Sequence, residues 1–227
     1  YRSGDRSALG LILFFSLLFF LIYKEYRKKM LLIFGIFIIF STLLSFQNPN
    51  ISKRIFIDTI GQLKGEHHKE FIKENDEGKK QKLLIFSFHH QAHFTTALKM
   101  FVANPFFGHG LKMFRFSCKN FISNEKMVMY GCSTHPHNTY MQLLAETGII
   151  GFLTIVFLFL TIFLKITKKI LKNSNSLKPE DCLLIAIFIN LWPLIPTGNF
   201  FNNWLSMLYF LPVALYLFET KKLRNSN

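Results

Sequence analysis

The residues best equipped for chemistry are Ser133-Thr134-His135-Pro136-His137-Asn138, which lead through Thr139 to Gly148-Ile149-Ile150-Gly151. Two imidazoles and a proline stand directly ahead of a segment that turns apolar. Pro136 fits the first position of a helix, where a missing N–H costs nothing and φ is already set. Thr134 or His135 then lies near the N-cap, with His137 and Asn138 in the first turn. Backbone N–H groups there lack intrahelical partners, and the macrodipole is positive. The spacing therefore predicts an anion cradle with imidazoles beside it. The same positive end disfavours an imidazolium and leaves His137 neutral, able to accept a proton. A neutral base beside an anion cradle suits transfer of a group away from a phosphate leaving group. The competing assignment for His137 is a capping imidazole without chemistry.

Three further histidines, His89, His90 and His93, lie in a helix-like stretch at residues 83–102. His89 and His93 are four apart and share a face. A zinc-protease helix has this spacing but requires glutamate where His90 stands. Neither a carboxylate nor a cysteine ligand is supplied nearby, so no metal is expected. These histidines read as the polar edge of an amphipathic helix lying on a membrane surface. Cys118 and Cys132 share one long polar segment, and Cys182 lies apart from them. In an oxidising compartment the first two could pair. The bridge would close a loop of about 15 residues, worth on the order of 3 kcal/mol in the chain-entropy treatment. It would also tie Phe114-Arg115-Phe116 to the His135/His137 motif. Two unpaired buried thiols are the alternative.

The elements that hold these residues are predicted to be membrane helices. Half of the 227 residues are hydrophobic, and they come in blocks. Blocks at 8–23 and 30–46 flank a basic turn at 24–29. Others follow at about 148–164, 182–195 and 204–218, the fourth shortened by Pro193 and Pro196 and the fifth opening on Trp204 as an interfacial aromatic. The pattern predicts an all-α membrane protein of about five transmembrane helices. Residues 1–46 supply two and 142–227 three. Between them, 47–141 form a long periplasmic loop region with short helices of its own. The short basic segments fall on one side, read as cytoplasmic. The loop carries 13 basic and 7 acidic residues, which is no conflict because loops beyond about 60 residues escape the charge rule.

Topology accounts for most of the net charge of +14; no nucleic-acid-binding motif is present and no nucleic-acid partner is expected. The charged run at 66–82 reads as a solvated excursion. The chain opens on Tyr1, and a further N-terminal portion is expected to precede it. Residues 8–23 do not resemble a cleavable signal peptide, because a second span follows at once without a small-residue cleavage site. Asn138, Gln142 and Glu146 are spaced by four, and such a polar stripe should face a cavity rather than lipid. Asn199, Asn202 and Asn203, after Pro196-Thr197-Gly198, either rim that cavity or form a plain capped turn. Gly148 and Gly151 are read as letting a neighbouring helix approach.

The chain resembles the bacterial O-antigen ligase and O-antigen polymerase superfamily of polytopic membrane glycosyltransferases. Ligases carry His, then Asn, Ser or Gln, nine residues, then Gly-x-x-Gly. Here His137-Asn138 is followed by nine residues and Gly148-Ile149-Ile150-Gly151. Ser3-Gly4-Asp5-Arg6 is similar to the family's arginine segment opening a span, and Asn104-Pro105-Phe106-Phe107-Gly108-His109-Gly110 is similar to its loop segment upstream of the histidine. The likeness covers nearly the whole chain, as the C-terminal half of a protein of about twelve spans.

The resemblance implies a glycan carried on undecaprenyl pyrophosphate and transferred at the periplasmic face of the bacterial inner membrane. No cofactor, metal or nucleotide sugar is implied. The acceptor is lipid A–core for a ligase and another lipid-linked repeat unit for a polymerase. His137 would take the proton from the acceptor hydroxyl, a role worth about 10²–10⁴-fold. Arg6, Arg115 and, third, Arg54 would hold the pyrophosphate. Asn138 and His135 would orient the base or the acceptor. Arg6 snorkelling at the interface and Arg115 as an ordinary loop cation are the plain alternatives. Two other classes compete: a transporter of the same lipid-linked glycan, and a structural protein whose loop binds a partner.

Overall fold

The computed structural model describes residues 6–47, 53, 57–63, 88–122, 125–172 and 178–225. Arg54, Ser3-Gly4-Asp5 and the charged run at 66–82 lie outside them. Arg6 opens the first helix, but its side chain is outside the described set. All regular structure among the described residues is helical.

Helix α1, Arg6–Ile22, and helix α2, Arg27–Gln47, are joined by a 3₁₀ turn at Lys24–Tyr26. Arg27 donates to the Phe20 and Leu21 carbonyls at 3.0 and 3.3 Å, using a cation to satisfy acceptors that the end of α1 leaves open. Four shorter helices follow: α3 (Asp58–Leu63), α4 (Phe88–Ala103), α5 (Phe114–Ser117) and α6 (Glu125–Gly131). The long helix α7 spans Thr139–Lys172, α8 Pro179–Asn190 and α9 Asn203–Asn225.

Among these, α7 alone is long and apolar enough to cross a membrane unaided; parts of α1 and α2, bent by 116° between them, pass the same test as a pair. The expected span at 182–195 is cut short. Pro179 starts α8 near its first position, where a proline is favoured. The helix stops at Asn190, because Pro193 lacks an N–H and the residue before a proline is pushed out of the helical region. Large apolar side chains stand exposed on α2, on the outer part of α7 and on α9, including Ile33, Ile36, Leu153, Phe157, Leu208 and Phe210. A belt of this extent is unlike the surface of a protein bathed in water.

The main core joins Leu18 and Ile22 from α1, and Tyr23 just after it, to Ile162 and Ile166 from α7 and Leu184, Ile185 and Phe188 from α8. Asp181 is buried at the same end. The Tyr23 hydroxyl donates to its carboxylate at 2.6 Å, and Lys169 pairs with it. A buried carboxylate is costly unless so matched. The match pins three helices together at the end of α7 farthest from Thr139.

Candidate functional site

At the other end, α7 is broken at Gly148, whose φ of 66° and ψ of −159° belong to a region essentially reserved for glycine. Residues 139–147 form an inner segment and 149–172 the apolar outer one. The chain at 104–114 wraps the break. Ile149 N–H donates to the Pro105 carbonyl at 2.8 Å, His109 N–H to Ala145 at 3.0 Å and Gly110 N–H to Glu146 at 2.9 Å. The loop thus satisfies backbone groups that a broken helix leaves without partners. A Cβ on Gly148 would run into the Phe106 carbonyl, and one on Gly108 (φ 66°) into the Glu146 backbone. This corrects the reading of Gly148 and Gly151 as a helix-packing pair. Gly148 serves a backbone break against a loop, and a Cβ on Gly151 would meet Thr147 of its own helix.

The polar stripe faces neither lipid nor a cavity. Gln142 and Glu146 are fully buried. Glu146 accepts from the backbone N–H groups of Lys112 and Phe114 and from the Gln142 amide, each at 3.0 Å. Gln142 also donates to Asn199 Oδ1 at 2.9 Å and accepts from Phe200 N–H at 2.9 Å. Asn199 accepts again from Phe201 N–H, and Asn202 Oδ1 caps α9 at Trp204 and Leu205. The Asn-rich segment is therefore a capped turn bolted to α7, with Asn199 buried and its Oδ1 engaged by Gln142 and Phe201.

The turn before α7 differs from the sequence expectation. The helix begins at Thr139, and Asn138 is its cap. Asn138 Oδ1 accepts from the N–H groups of Tyr140 (3.0 Å) and Met141 (3.1 Å). An asparagine that reaches these donors outcompetes a proline-first start. The anion cradle expected here is consequently filled by the chain's own amide. Asn138 Nδ2 donates to the Pro193 carbonyl at 2.8 Å. His135 is buried, its Nε2 facing the Thr197 carbonyl at 3.2 Å and its Nδ1 the Thr134 hydroxyl at 2.9 Å. Donation to a carbonyl fixes the Nε2–H tautomer, with Nδ1 as acceptor. Thr197 N–H donates to the His137 carbonyl at 2.9 Å, and the hydroxyls of Thr139 and Thr197 meet at 2.9 Å. Asn138 and His135 thus have their polar atoms engaged within the protein and hold the turn in place.

His137 itself sits at φ 56°, a left-handed conformation uncommon for a non-glycine residue. Its ring is half-buried, and no side-chain hydrogen bond ties it to the described residues. Imidazoles surround it, with centroids at 4.2 Å for His135, 5.4 Å for His93 and 6.0 Å for His90. Burial first, then His135, His93 and His90, lower its pKa from 6.5 to about 4. His90, His93 and His135 are also held below the ordinary imidazole value, each chiefly by burial. His137 is neutral as expected, but through burial and neighbours.

The surface-helix reading of His89, His90 and His93 is corrected for the latter two. Helix α4 packs on α7 through Ala97, Met100 and Ala145, alongside Phe114 and Cys118, which turns His90 and His93 toward His137. Their three-residue spacing, which puts both on one helical face, was the signal available. No group of three or more histidine, cysteine or acidic residues among those described is arranged to hold a metal ion. Cys118 and Cys132 form a disulfide with Cα atoms 5.5 Å apart. It joins the α5 region to the turn of His135 and His137. Arg115 is exposed on α5, within electrostatic range of His135.

A helical protein with an apolar exterior, a loop cap on a broken helix and an uncharged imidazole at its tip fits a membrane-associated enzyme. The O-antigen ligase family model matches residues 1–156. The chain belongs to that family, whose members act on lipid-linked glycans in lipopolysaccharide biosynthesis. No curated protein and no solved structure matches it.

Proposed function

We propose that the protein is a metal-independent ligase-type glycosyltransferase. It moves a glycan from undecaprenyl pyrophosphate to a hydroxyl of lipid A–core at the periplasmic face of the inner membrane, with about five spans in this chain. The observation that carries the reading is His137. Its neighbours His135 and Thr139 are engaged with Thr197, and Asn138 with Pro193 and Tyr140, whereas no side-chain hydrogen bond ties its own ring to the described residues. A half-buried neutral imidazole takes the acceptor proton as the acceptor oxygen attacks the sugar. Its low pKa keeps it available across the working pH range. Arg115, and Arg6 at the start of α1, neutralise the departing pyrophosphate. Asn138 and His135 fix the base.

The test is complementation of the deleted gene by its full product, comparing wild type with His137→Ala and with His137→Asn, since asparagine tolerates a positive φ. Surface lipopolysaccharide and lipid-linked intermediates are analysed together. A ligase gives variants whose polymer leaves lipid A–core and accumulates on the lipid carrier. Core bearing only single repeat units identifies a polymerase. Wild-type behaviour of both variants removes His137 from catalysis and favours a transporter.

A further inference from the structure

The base described above must dispose of its proton, and a weakly basic imidazole does not keep one. Three histidines approach His137. His135 is closest, but both of its ring nitrogens are engaged, with Thr134 and Thr197. His93 differs. The residue is 6% exposed, and its Nδ1 is buried with no hydrogen-bond partner among the described residues. The Gly131 carbonyl lies beside the same ring, and we assign that contact to Nε2, the nitrogen other than the unpartnered Nδ1. A carbonyl can only accept, so Nε2 carries the hydrogen and Nδ1 presents a bare lone pair. Leaving such an atom buried and unmatched is unfavourable unless something reaches it. His137 is centred 5.4 Å away, with no hydrogen bond between the two rings at rest; a ring rotation lets a nitrogen of each face the other within hydrogen-bond distance.

We propose that His93 is a positioning and proton-accepting partner of His137, receiving at Nδ1 the proton that catalysis places on the pair. The inference rests on the transferase reading of His137. The acceptor O–H gives its proton to the bare His137 nitrogen. The oxygen's electron pair forms the new bond to the sugar anomeric carbon, while the bond to pyrophosphate breaks and its pair leaves with the phosphate. The N–H on the opposite side of the His137 ring passes its proton to His93 Nδ1. His93 becomes transiently cationic, with Nε2–H still on Gly131. After product leaves, the proton returns by the same path to water. The charged or titratable groups around the pair are His89 and His90 from α4, His135 from the turn and Arg115 from α5. The Glu146 carboxylate is turned instead to the amides of Lys112 and Phe114. Burial holds His93 below the ordinary imidazole range, which suits passage of a proton rather than storage.

The experiment uses the full protein in membranes, with lipid-linked glycan donor and lipid A–core acceptor, and compares wild type, His93→Gln and His137→Asn. Glutamine reproduces a donor near the Nε2 position, able to keep the Gly131 contact, but supplies no basic nitrogen to take up a proton. For His93→Gln we expect kcat lowered about tenfold or more. KM for both substrates stays within about twofold, and the deficit narrows toward alkaline pH, where solvent base takes the proton. Unchanged kcat in His93→Gln beside an inactive His137→Asn overturns the role of His93 and leaves the transferase reading standing. A loss that appears in KM and thermal stability, with the pH profile unaltered, marks a structural residue and equally overturns it. Activity in His137→Asn defeats the transferase reading itself, independently of His93.

Discussion

His137 combines three departures from ordinary behaviour: a left-handed backbone, a ring without a hydrogen bond from the described side chains, and an imidazole held to about pKa 4. Strain of this kind costs about 1–3 kcal/mol and persists where its surroundings enforce it; here Thr197 on the His137 carbonyl and the Asn138 cap do so. The titration has a direction. In the unfolded chain His137 protonates near 6.5, whereas in the folded protein it does so only near 4. The unfolded state therefore binds more protons between those values. Stability is intact above about pH 6.5 and falls as the pH drops toward 4. His90, His93 and His135 contribute in the same sense. Thermal unfolding in detergent across that window should follow this slope, and His137→Asn should flatten it. The residue types were legible in sequence, and so was the neutrality of His137. The company of His90 and His93 was not, because it depends on how a distant helix docks.

At the scale of elements, the break in α7 organises the site. The helix itself was readable from the apolar block, but its true start and its interruption were not. The start is set by Asn138 reaching two amides. The interruption is set by carbonyl and amide groups on a loop more than thirty residues earlier in the chain. Local rules placed Pro136 first because they see only local competitors. Gly148→Ala meets both an unfavourable φ and the Phe106 carbonyl. It should destabilise the protein by about 2–4 kcal/mol, read as a lower unfolding temperature with transfer lost. Gly10, whose added Cβ meets nothing within 4 Å, is the control: Gly10→Ala should be neutral or slightly stabilising.

Across the whole molecule the two ends of α7 carry opposite kinds of polar chemistry. One end has the Tyr23–Asp181–Lys169 group, the other the imidazoles and their loops. The alternation of apolar blocks and basic turns made the helical class legible from composition alone. Block lengths overstated α8, because a proline-bounded block can supply apolar residues without supplying helix. Cys182, free and partly exposed beside Asp181, reports sidedness. With the other two cysteines in a disulfide, a membrane-impermeant maleimide should label Cys182 in inverted vesicles and spare it in intact spheroplasts. The reverse pattern would turn the proposed topology upside down.

The nine residues between Asn138 and Gly148 acquire a mechanical meaning from their two ends. One end is clamped by its cap and by Pro193; the other is clamped where the loop crosses the break. A helical rod fixed at both ends behaves as a gauge block. Adding or removing one residue turns one end by about 100° and shifts it by about 1.5 Å against the other. His137 would then swing away from the imidazoles that surround it, although every side chain in the cluster remained. The distance written into the signature is thus a tolerance on angle as much as a count of residues.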